Sequence, residues 1–153
     1  MLTNYVEDTP HWQDWQVSYR FGTLSVFPPE EVRKLVNSLR QKYDPKSQSI
    51  CDGHISLSIP FPRAVNDSDW AELNEKLSQK IEPFEVSYGL LRTYPPNPGV
   101  CYTIEPAQKF LVMRELIHST HILSDVDRPQ YNYFPHMTIA EFISSEETDK
   151  ILN

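Results

Sequence analysis

One succession of hydrophobic patterns occurs twice along the chain, and it limits the folds that this sequence can form. In the first half, an alternating apolar run at 19–27 is followed by an amphipathic stretch, a second alternating run and a second amphipathic stretch. After a proline-rich linker at 92–99, the same succession starts again at Val100. Alternation is typical of strands, whereas apolar spacings of three and four are typical of helices. The sequence therefore predicts an α+β fold made from a duplicated strand–helix–strand–helix–strand repeat.

The same patterns give approximate limits for the elements. A helix beginning near Pro29 is predicted to present Val32, Leu35, Val36 and Leu39 on one buried face. Residues 42–53 are predicted to form a polar loop. The further predicted elements are a helix capped within 66–69, a strand at 84–90, a strand at 100–104, a helix at 106–123 and a last helix after the capping-box sequence at 144–147.

The two ends of the sequence fit this repeat less well. Residues 1–18 are predicted to form an irregular arm that contains Trp12 and Trp15. No apolar run follows the last helix, so the second repeat is expected to lack its final strand. An open sheet edge favours association, and we expect the arm or another subunit to pair with it. The oligomeric state stays open.

The second strand of each repeat carries a histidine followed two residues later by a hydroxyl. The first motif is His54-Ile55-Ser56, and the second is His136-Met137-Thr138. In a strand the histidine and the hydroxyl share one face, while the apolar residues between them point into the core. An imidazole beside a hydroxyl suits proton transfer next to an anionic oxygen. Two such pairs facing each other would supply an acid and a base on opposite sides of one phosphorus.

With one motif in each repeat, the chain resembles the 2H phosphoesterases, which include the 2′-5′ RNA ligase-like proteins and the cyclic nucleotide phosphodiesterases. The resemblance covers about residue 19 to the end and implies a single bilobal α+β domain. Its lobes would span 19–94 and 100–153, with antiparallel sheets forming a central cleft. The family often has proline before both histidines, whereas this chain has Gly53 and Pro135; Glu141 stands where some members have a basic or aromatic residue.

The resemblance also implies an activity. His54 and His136 would be the catalytic pair, and Ser56 and Thr138 would hydrogen-bond the phosphate oxygens. The substrate would be a 2′,3′-cyclic phosphate, or a short 2′-5′ or cyclic oligonucleotide, hydrolysed without a metal or other cofactor. Two alternatives stay open: a nucleotide- or RNA-end-binding module without turnover, and an RNA 2′-5′ ligase using the same site in reverse. The presence of both histidines and both hydroxyls favours the enzyme.

Several other residues can be interpreted either as functional or as structural. Residues 118–121 repeat the His-x-Thr pattern, but they belong to a predicted helix, where i and i+2 do not share a face. Tyr131 and Tyr133 are candidates for stacking on a base, or for covering the core. Cys51 is interpreted as a packing residue. The arginines considered as phosphate contacts by their charge alone are Arg20, Arg92 and Arg128.

Charge and composition exclude several classes of function. The net charge is −7, and long duplex nucleic acids are usually bound by basic surfaces. Only two cysteines are present, Cys51 and Cys101, which rules out a disulfide scaffold or a zinc finger. The first residues include Glu7 and Asp8 rather than the apolar run of a signal peptide, and no stretch reaches membrane-spanning length. We therefore expect a cytoplasmic protein whose partner is a small nucleotide or short oligonucleotide.

Overall fold

Short antiparallel sheets and six helices form the part of the chain that the computed structural model describes, which is residues 12, 14–93, 98–128 and 132–153. The helices are α1 (Asp14–Val17), α2 (Glu30–Tyr43), α3 (Pro45–Ile50), α4 (Asp67–Ser78), α5 (Ala107–His118) and α6 (Ser145–Leu152), and a 3₁₀ turn spans Ser18–Phe21. The strands are β1 (Ser25–Val26), β2 (Ile55–Ser56), β3 (Ser87–Thr93), β4 (Gly99–Glu105) and β5 (His136–Glu141).

The strands form two antiparallel sheets, one of order β1-β2 and one of order β3-β4-β5. The predicted α+β class is therefore confirmed. Apart from the short helix α3, the chain order β1-α2-β2-α4-β3 followed by β4-α5-β5-α6 is consistent with the predicted duplication. None of the helices in the described ranges is long and apolar enough to cross a membrane.

The chain divides into two compact units, each assembled from three separate segments. The first unit contains the described residues up to Leu24, then Leu57–Phe84 and Gln108–Tyr133. The second unit contains Ser25–Ser56, Glu85–Ala107 and Phe134–Asn153. The lobe limits expected from the repeat, 19–94 and 100–153, stay a prediction.

The second unit contains both sheets and both histidine motifs. Helix α2 packs against β5, and β2 contacts β5. In the ladder of β4 and β5, Thr103 is opposite His136 and Cys101 is opposite Thr138. The buried apolar side chains of this unit are Val36, Ile55, Val100, Cys101, Ile104, Met137, Ile139 and Ala140. The packing of α2 and β2 against β5 therefore fixes the strands from which the motif side chains project.

The first unit contains α4, most of α5 and the chain that leaves β2. Asn66 caps α4 through a capping box, since its side chain accepts from the Asp69 N–H and the Asp69 carboxylate accepts from the Asn66 N–H. Past β2, the extended chain still pairs with the chain before β1, because the Leu57 N–H donates to the Leu24 carbonyl. The core of this unit consists of Leu57, Ile59, Phe61, Val65, Leu73, Phe110, Ile117, Ile122 and Leu123.

Several predicted elements differ from the structure in the first half of the chain. The strand predicted at 19–27 is only Ser25–Val26, because Ser18–Phe21 forms a 3₁₀ turn that ends at Gly22 with φ of 85°. The polar loop predicted at 42–53 contains α3, whose start is stabilised by the Asp44 carboxylate accepting from the Ser47 N–H. Leu35, predicted to be buried, is 64% exposed.

The later elements follow the predicted order with shifted limits. The strand predicted at 84–90 is Ser87–Thr93, and the helix predicted at 106–123 ends at His118. The proline-rich linker predicted at 92–99 overlaps the end of β3 and the start of β4, and residues 94–97 lie outside the described residues. The arm predicted to be irregular includes α1 and the first residue of the 3₁₀ turn, while its residues 1–11 and 13 lie outside the described residues.

Candidate functional site

Both histidine motifs occupy comparable positions on strands of the second unit. His54 directly precedes β2 and Ser56 ends it, while His136 and Thr138 are the first and third residues of β5. All four residues are half-buried. The residues after each histidine, Ile55 and Met137, are 2% and 0% exposed. The alternation predicted for the two motifs is therefore confirmed.

The backbone holds the two imidazoles in the same way. The Nδ1 atom of His54 lies 2.8 Å from the carbonyl oxygen of Asp52, and the Nδ1 atom of His136 lies 2.7 Å from the carbonyl oxygen of Phe134. A carbonyl oxygen only accepts hydrogen bonds, so each Nδ1 carries a proton and donates it. In the neutral ring the Nε2 atom then keeps its lone pair. Each neutral imidazole thus has its basic nitrogen at Nε2.

A phenylalanine packs beside each imidazole. The ring of Phe27 lies 5.8 Å from that of His54 at an interplanar angle of 45°, and the ring of Phe134 lies 4.7 Å from that of His136 at 40°. The two phenyl rings reduce the contact of the imidazoles with water. An imidazolium loses more solvation than a neutral imidazole when water is excluded.

Burial is the largest cause that lowers the pKa of both histidines below its usual value. The carbonyls of Asp52 and Phe134 act in the opposite direction, because they stabilise the donating ring. The positive charge of Arg40 further lowers the pKa of His54, and the charges of His54 and Arg92 further lower the pKa of His136. Protonation of His54 therefore disfavours protonation of His136, which couples the two sites.

The turn that leads into His54 is held by side chains of α2 and α3. Asn37 donates from Nδ2 to Oδ1 of Asp52 (2.8 Å) and accepts from the Gly53 N–H on its Oδ1 (2.8 Å). Gln48 also donates to Oδ1 of Asp52, at 3.3 Å. A Cβ atom on Gly53 would lie 2.6 Å from Cγ1 of Val36. The close approach and the donated N–H together explain why glycine precedes this histidine.

The side chain of Arg40 was missed by the sequence interpretation. It is 4% exposed and bridges backbone atoms of both motif segments. Its Nη1 donates to the Thr138 carbonyl (2.9 Å), its Nη2 donates to the Cys51 carbonyl (3.1 Å), and its Nε donates to Oε1 of Gln48 (3.0 Å). The signal was present in the sequence, since Arg40 follows Val36 by four residues on the predicted buried face of α2.

Two further ionisable groups lie in the same unit. The Sγ atom of Cys51 is 3.5 Å from Nδ1 of His54, and burial raises the pKa of this thiol. The carboxylate of Asp44 accepts from the Glu141 N–H at 3.0 Å. Burial, and then the negative charge of Asp44, raises the pKa of Glu141. Cys51 and Glu141 are therefore both biased toward their neutral forms.

The aromatic residues predicted to stack on a base are only partly described. Tyr131 lies outside the described residues. Tyr133 is half-buried in the first unit, where the guanidinium of Arg114 stacks on its ring at 4.2 Å from the centroid. The ring of Tyr133 therefore already has a cationic partner on one face.

The three arginines considered as phosphate contacts have different environments. Arg128 pairs with the Glu115 carboxylate in the first unit, at 2.7 Å. Arg20, also in that unit, stacks on the ring of Phe21. Arg92 belongs to β3 in the second unit, where its guanidinium lies 4.6 Å from the ring centroid of Phe134. Arg92 is thus the one of the three that shares a unit with the histidine motifs.

The additional His-x-Thr sequence belongs to the first unit. His118 is the last residue of α5, although the helix was predicted to continue through His121, and its Nε2 accepts from the Ile59 N–H at 3.4 Å. His121 follows the helix and contacts the Glu72 carboxylate at 3.1 Å. Among the described residues, no three histidine, cysteine, aspartate or glutamate side chains are grouped to hold a metal ion.

Comparison with known proteins identifies the family. The family model described as the 2′-5′ RNA ligase superfamily matches residues 28–153, which include both histidine motifs. The chain belongs to this superfamily. The resemblance to the 2H phosphoesterases is therefore confirmed.

Three curated relatives share the same descriptive name. A protein of Bacillus licheniformis is 26% identical over 135 residues, covering 87% of this chain and 77% of the relative. A protein of Oceanobacillus iheyensis is 26% identical over 131 residues, covering 84% and 75%. A protein of Bacillus cytotoxicus is 28% identical over 132 residues, covering 84% and 74%. All three are named "putative phosphoesterase".

Proposed function

We propose that this protein is a metal-independent phosphodiesterase that hydrolyses a 2′,3′-cyclic phosphate, or a short 2′-5′ or cyclic oligonucleotide. His54 and His136 would be the catalytic acid and base, and the hydroxyls of Ser56 and Thr138 would bind the non-bridging phosphate oxygens. The observation that carries this proposal is the identical anchoring of the two imidazoles, each donating Nδ1–H to the carbonyl two residues earlier. Membership of the 2′-5′ RNA ligase superfamily points to the same phosphodiester chemistry.

In the proposed reaction, one neutral imidazole takes a proton from water on its Nε2 while the water oxygen forms a bond to phosphorus. The other imidazole, protonated, donates its Nε2 proton to the departing sugar oxygen as the P–O bond breaks. The product is a phosphate monoester with a free hydroxyl on the sugar. Positioned acid–base catalysis of this kind is typically worth about 10²–10⁴-fold in rate. The two hydroxyls would orient the phosphorus and stabilise the developing charge.

The electrostatics of the two rings support a division into one acid and one base. Both pKa values lie below the usual one for histidine, so two neutral rings are favoured in the empty site. A bound phosphate anion favours protonation of one ring. Once that ring is charged, the coupling between His54 and His136 keeps the other neutral. The doubly charged form, which would lack a base, is therefore disfavoured.

The test is a substrate panel assayed with the purified full chain in excess EDTA. The panel contains 2′,3′-cyclic mononucleotides, an oligonucleotide with a 2′,3′-cyclic phosphate end, a 2′-5′ linked trinucleotide and a cyclic dinucleotide. We expect turnover of at least one of these phosphodiesters, and the same rate with and without the chelator.

Three outcomes would contradict the proposal. Binding without turnover of every member would favour a nucleotide- or RNA-end-binding module. Joining of a 2′,3′-cyclic phosphate end to a 5′-hydroxyl end, without hydrolysis, would favour the ligase. Loss of turnover on chelation, with recovery on adding zinc or manganese, would favour a metal-dependent hydrolase.

A further inference from the structure

We infer that Arg40 is a positioning residue that holds the two histidine motifs in their working arrangement by tying together the backbones of both motif segments. The inference rests on the proposed function, since it concerns the same two histidines. Arg40 itself belongs to α2, and nothing in the two motifs predicts it.

The two Nη contacts of Arg40 each reach a site residue through one or two peptide units. Nη1 holds the carbonyl of Thr138, the residue whose hydroxyl is proposed to bind phosphate and which lies two residues after His136. Nη2 holds the carbonyl of Cys51, which directly precedes Asp52, and the Asp52 carbonyl orients the His54 ring. One planar guanidinium therefore links the orientation of His54 to the position of Thr138.

The guanidinium is itself held rigidly. Its Nε donates to Gln48, and Gln48 in turn donates to the Asp52 carboxylate, which closes a network around the turn before His54. The acidic side chains around it are Asp52, in the turn before His54, Asp44, at the end of α2, and Glu141, at the end of β5. The Arg40 charge lowers the pKa of Glu141, but the larger effect of burial raises it. A buried guanidinium with carbonyl acceptors on both Nη atoms has little freedom to move.

Lysine cannot replace this arrangement. A guanidinium presents several N–H donors in one plane and reaches two carbonyls in fixed directions, whereas an ammonium group is a point charge on a flexible stem. Arg40→Lys thus keeps the charge near His54 and removes the bridge. Arg40→Met removes both. Comparing the two variants separates the geometric effect of Arg40 from its electrostatic effect.

The experiment measures kcat, KM and histidine NMR signals for Arg40→Lys, Arg40→Met and Gln48→Ala in the full chain. The matched control is Arg63→Lys in the first unit, where Arg63 makes a two-pronged contact with Asp69 at 2.6 and 2.9 Å. A misplacement of about 1 Å at a catalytic group can cost about 10²-fold in rate. We expect kcat per folded molecule to fall by about 10²-fold in Arg40→Lys and by about 3- to 10-fold in Gln48→Ala, with KM changed by less than about threefold.

The NMR readout does not depend on finding a substrate. In Arg40→Lys, the Hε1 signals of both His54 and His136 should shift or broaden, while those of His118 and His121 keep their wild-type positions. In Arg40→Met, the pKa of His54 should also rise, because the Arg40 charge lowers it. Arg63→Lys should leave kcat and the signals of His54 and His136 as in the wild type.

Different results would overturn the positioning role of Arg40 and the proposed function. Absence of turnover in the wild type would overturn the proposed function, while the NMR comparison would still decide the role of Arg40. Unchanged His54 and His136 signals in folded Arg40→Lys would overturn the positioning role. If that variant does not fold, Gln48→Ala decides, and wild-type kcat and signals in it would overturn the inference.

Discussion

The buried His118 imidazole should make the protein lose stability as the pH falls. This side chain is 1% exposed at the end of α5, and its Nε2 accepts from the Ile59 N–H. Protonating Nε2 would remove that acceptor and place a charge in the core of the first unit. Burial, and then the positive charges of Arg114 and Arg128, lower the pKa of His118 to about 4, against a smaller opposite effect of Glu115.

The sign and the size follow from this pKa. Because the pKa is depressed in the folded state, the unfolded chain binds more protons between its own pKa, near 6.5, and about 4. The stabilisation is therefore complete above about pH 6.5 and is lost as the pH falls toward about 4. From pH 6.5 to pH 5 is about 1.5 pH units, and each unit lowers the free energy of unfolding by about 1.4 kcal/mol. His118 should therefore lower the free energy of unfolding by about 2 kcal/mol at pH 5.

Equilibrium urea unfolding at about pH 7.5 and about pH 5 measures this loss. His118→Gln is the informative variant, because its amide oxygen can accept from the Ile59 N–H without titrating. The free energy of unfolding should decrease from pH 7.5 to pH 5 in both proteins, and the decrease should be about 2 kcal/mol smaller in the variant than in the wild type. A His118→Gln variant with the full wild-type loss at acidic pH would refute the reasoning.

Three further predictions concern the second unit. The kcat/KM for a cyclic phosphate should rise as the pH is lowered from about 8 to about 6, because both site histidines have lowered pKa values and one ring must be protonated; a flat profile would contradict this. Arg92→Gln should raise the pKa of His136 in an NMR titration, since the Arg92 charge lowers it; an unchanged pKa would contradict this. Gly53→Ala should lower the free energy of unfolding by about 1–3 kcal/mol and reduce kcat, because the new Cβ would collide with Val36; wild-type values in thermal and kinetic measurements would argue against this packing.

Local patterns were sufficient to predict the motif strands and most helices. The alternation within the two motifs correctly predicted that Ile55 and Met137 are buried, because a strand has only two faces. The capping boxes at Asn66 and Ser144 likewise predicted the starts of α4 and α6. These features depend on residues within a few positions of one another. Sequence reading is therefore most reliable for them.

Long-range contacts were not predictable in the same way. Arg40 and Thr138 are 98 residues apart, and nothing in either local pattern indicates their contact. The limits of the buried face of α2 depend on what packs against it, which explains the exposed Leu35. Helix α3 is a different case, since an aspartate directly before a proline was a start signal in the sequence. The helix has only six residues and most of them are polar, so it lacks the apolar spacing by which a helix is recognised in a sequence.

A double-mutant cycle on the two motif histidines tests the central proposal most directly. The measurement is kcat in EDTA for the wild type, His54→Ala, His136→Ala and the double variant, on a substrate that the wild type turns over. Each single variant should lose about 10²–10⁴-fold, and the double variant should lose little more than either single one, because an acid and a base that act in one step fail together. A single variant that keeps most of the wild-type kcat, or losses that multiply in the double variant, would contradict two-histidine catalysis.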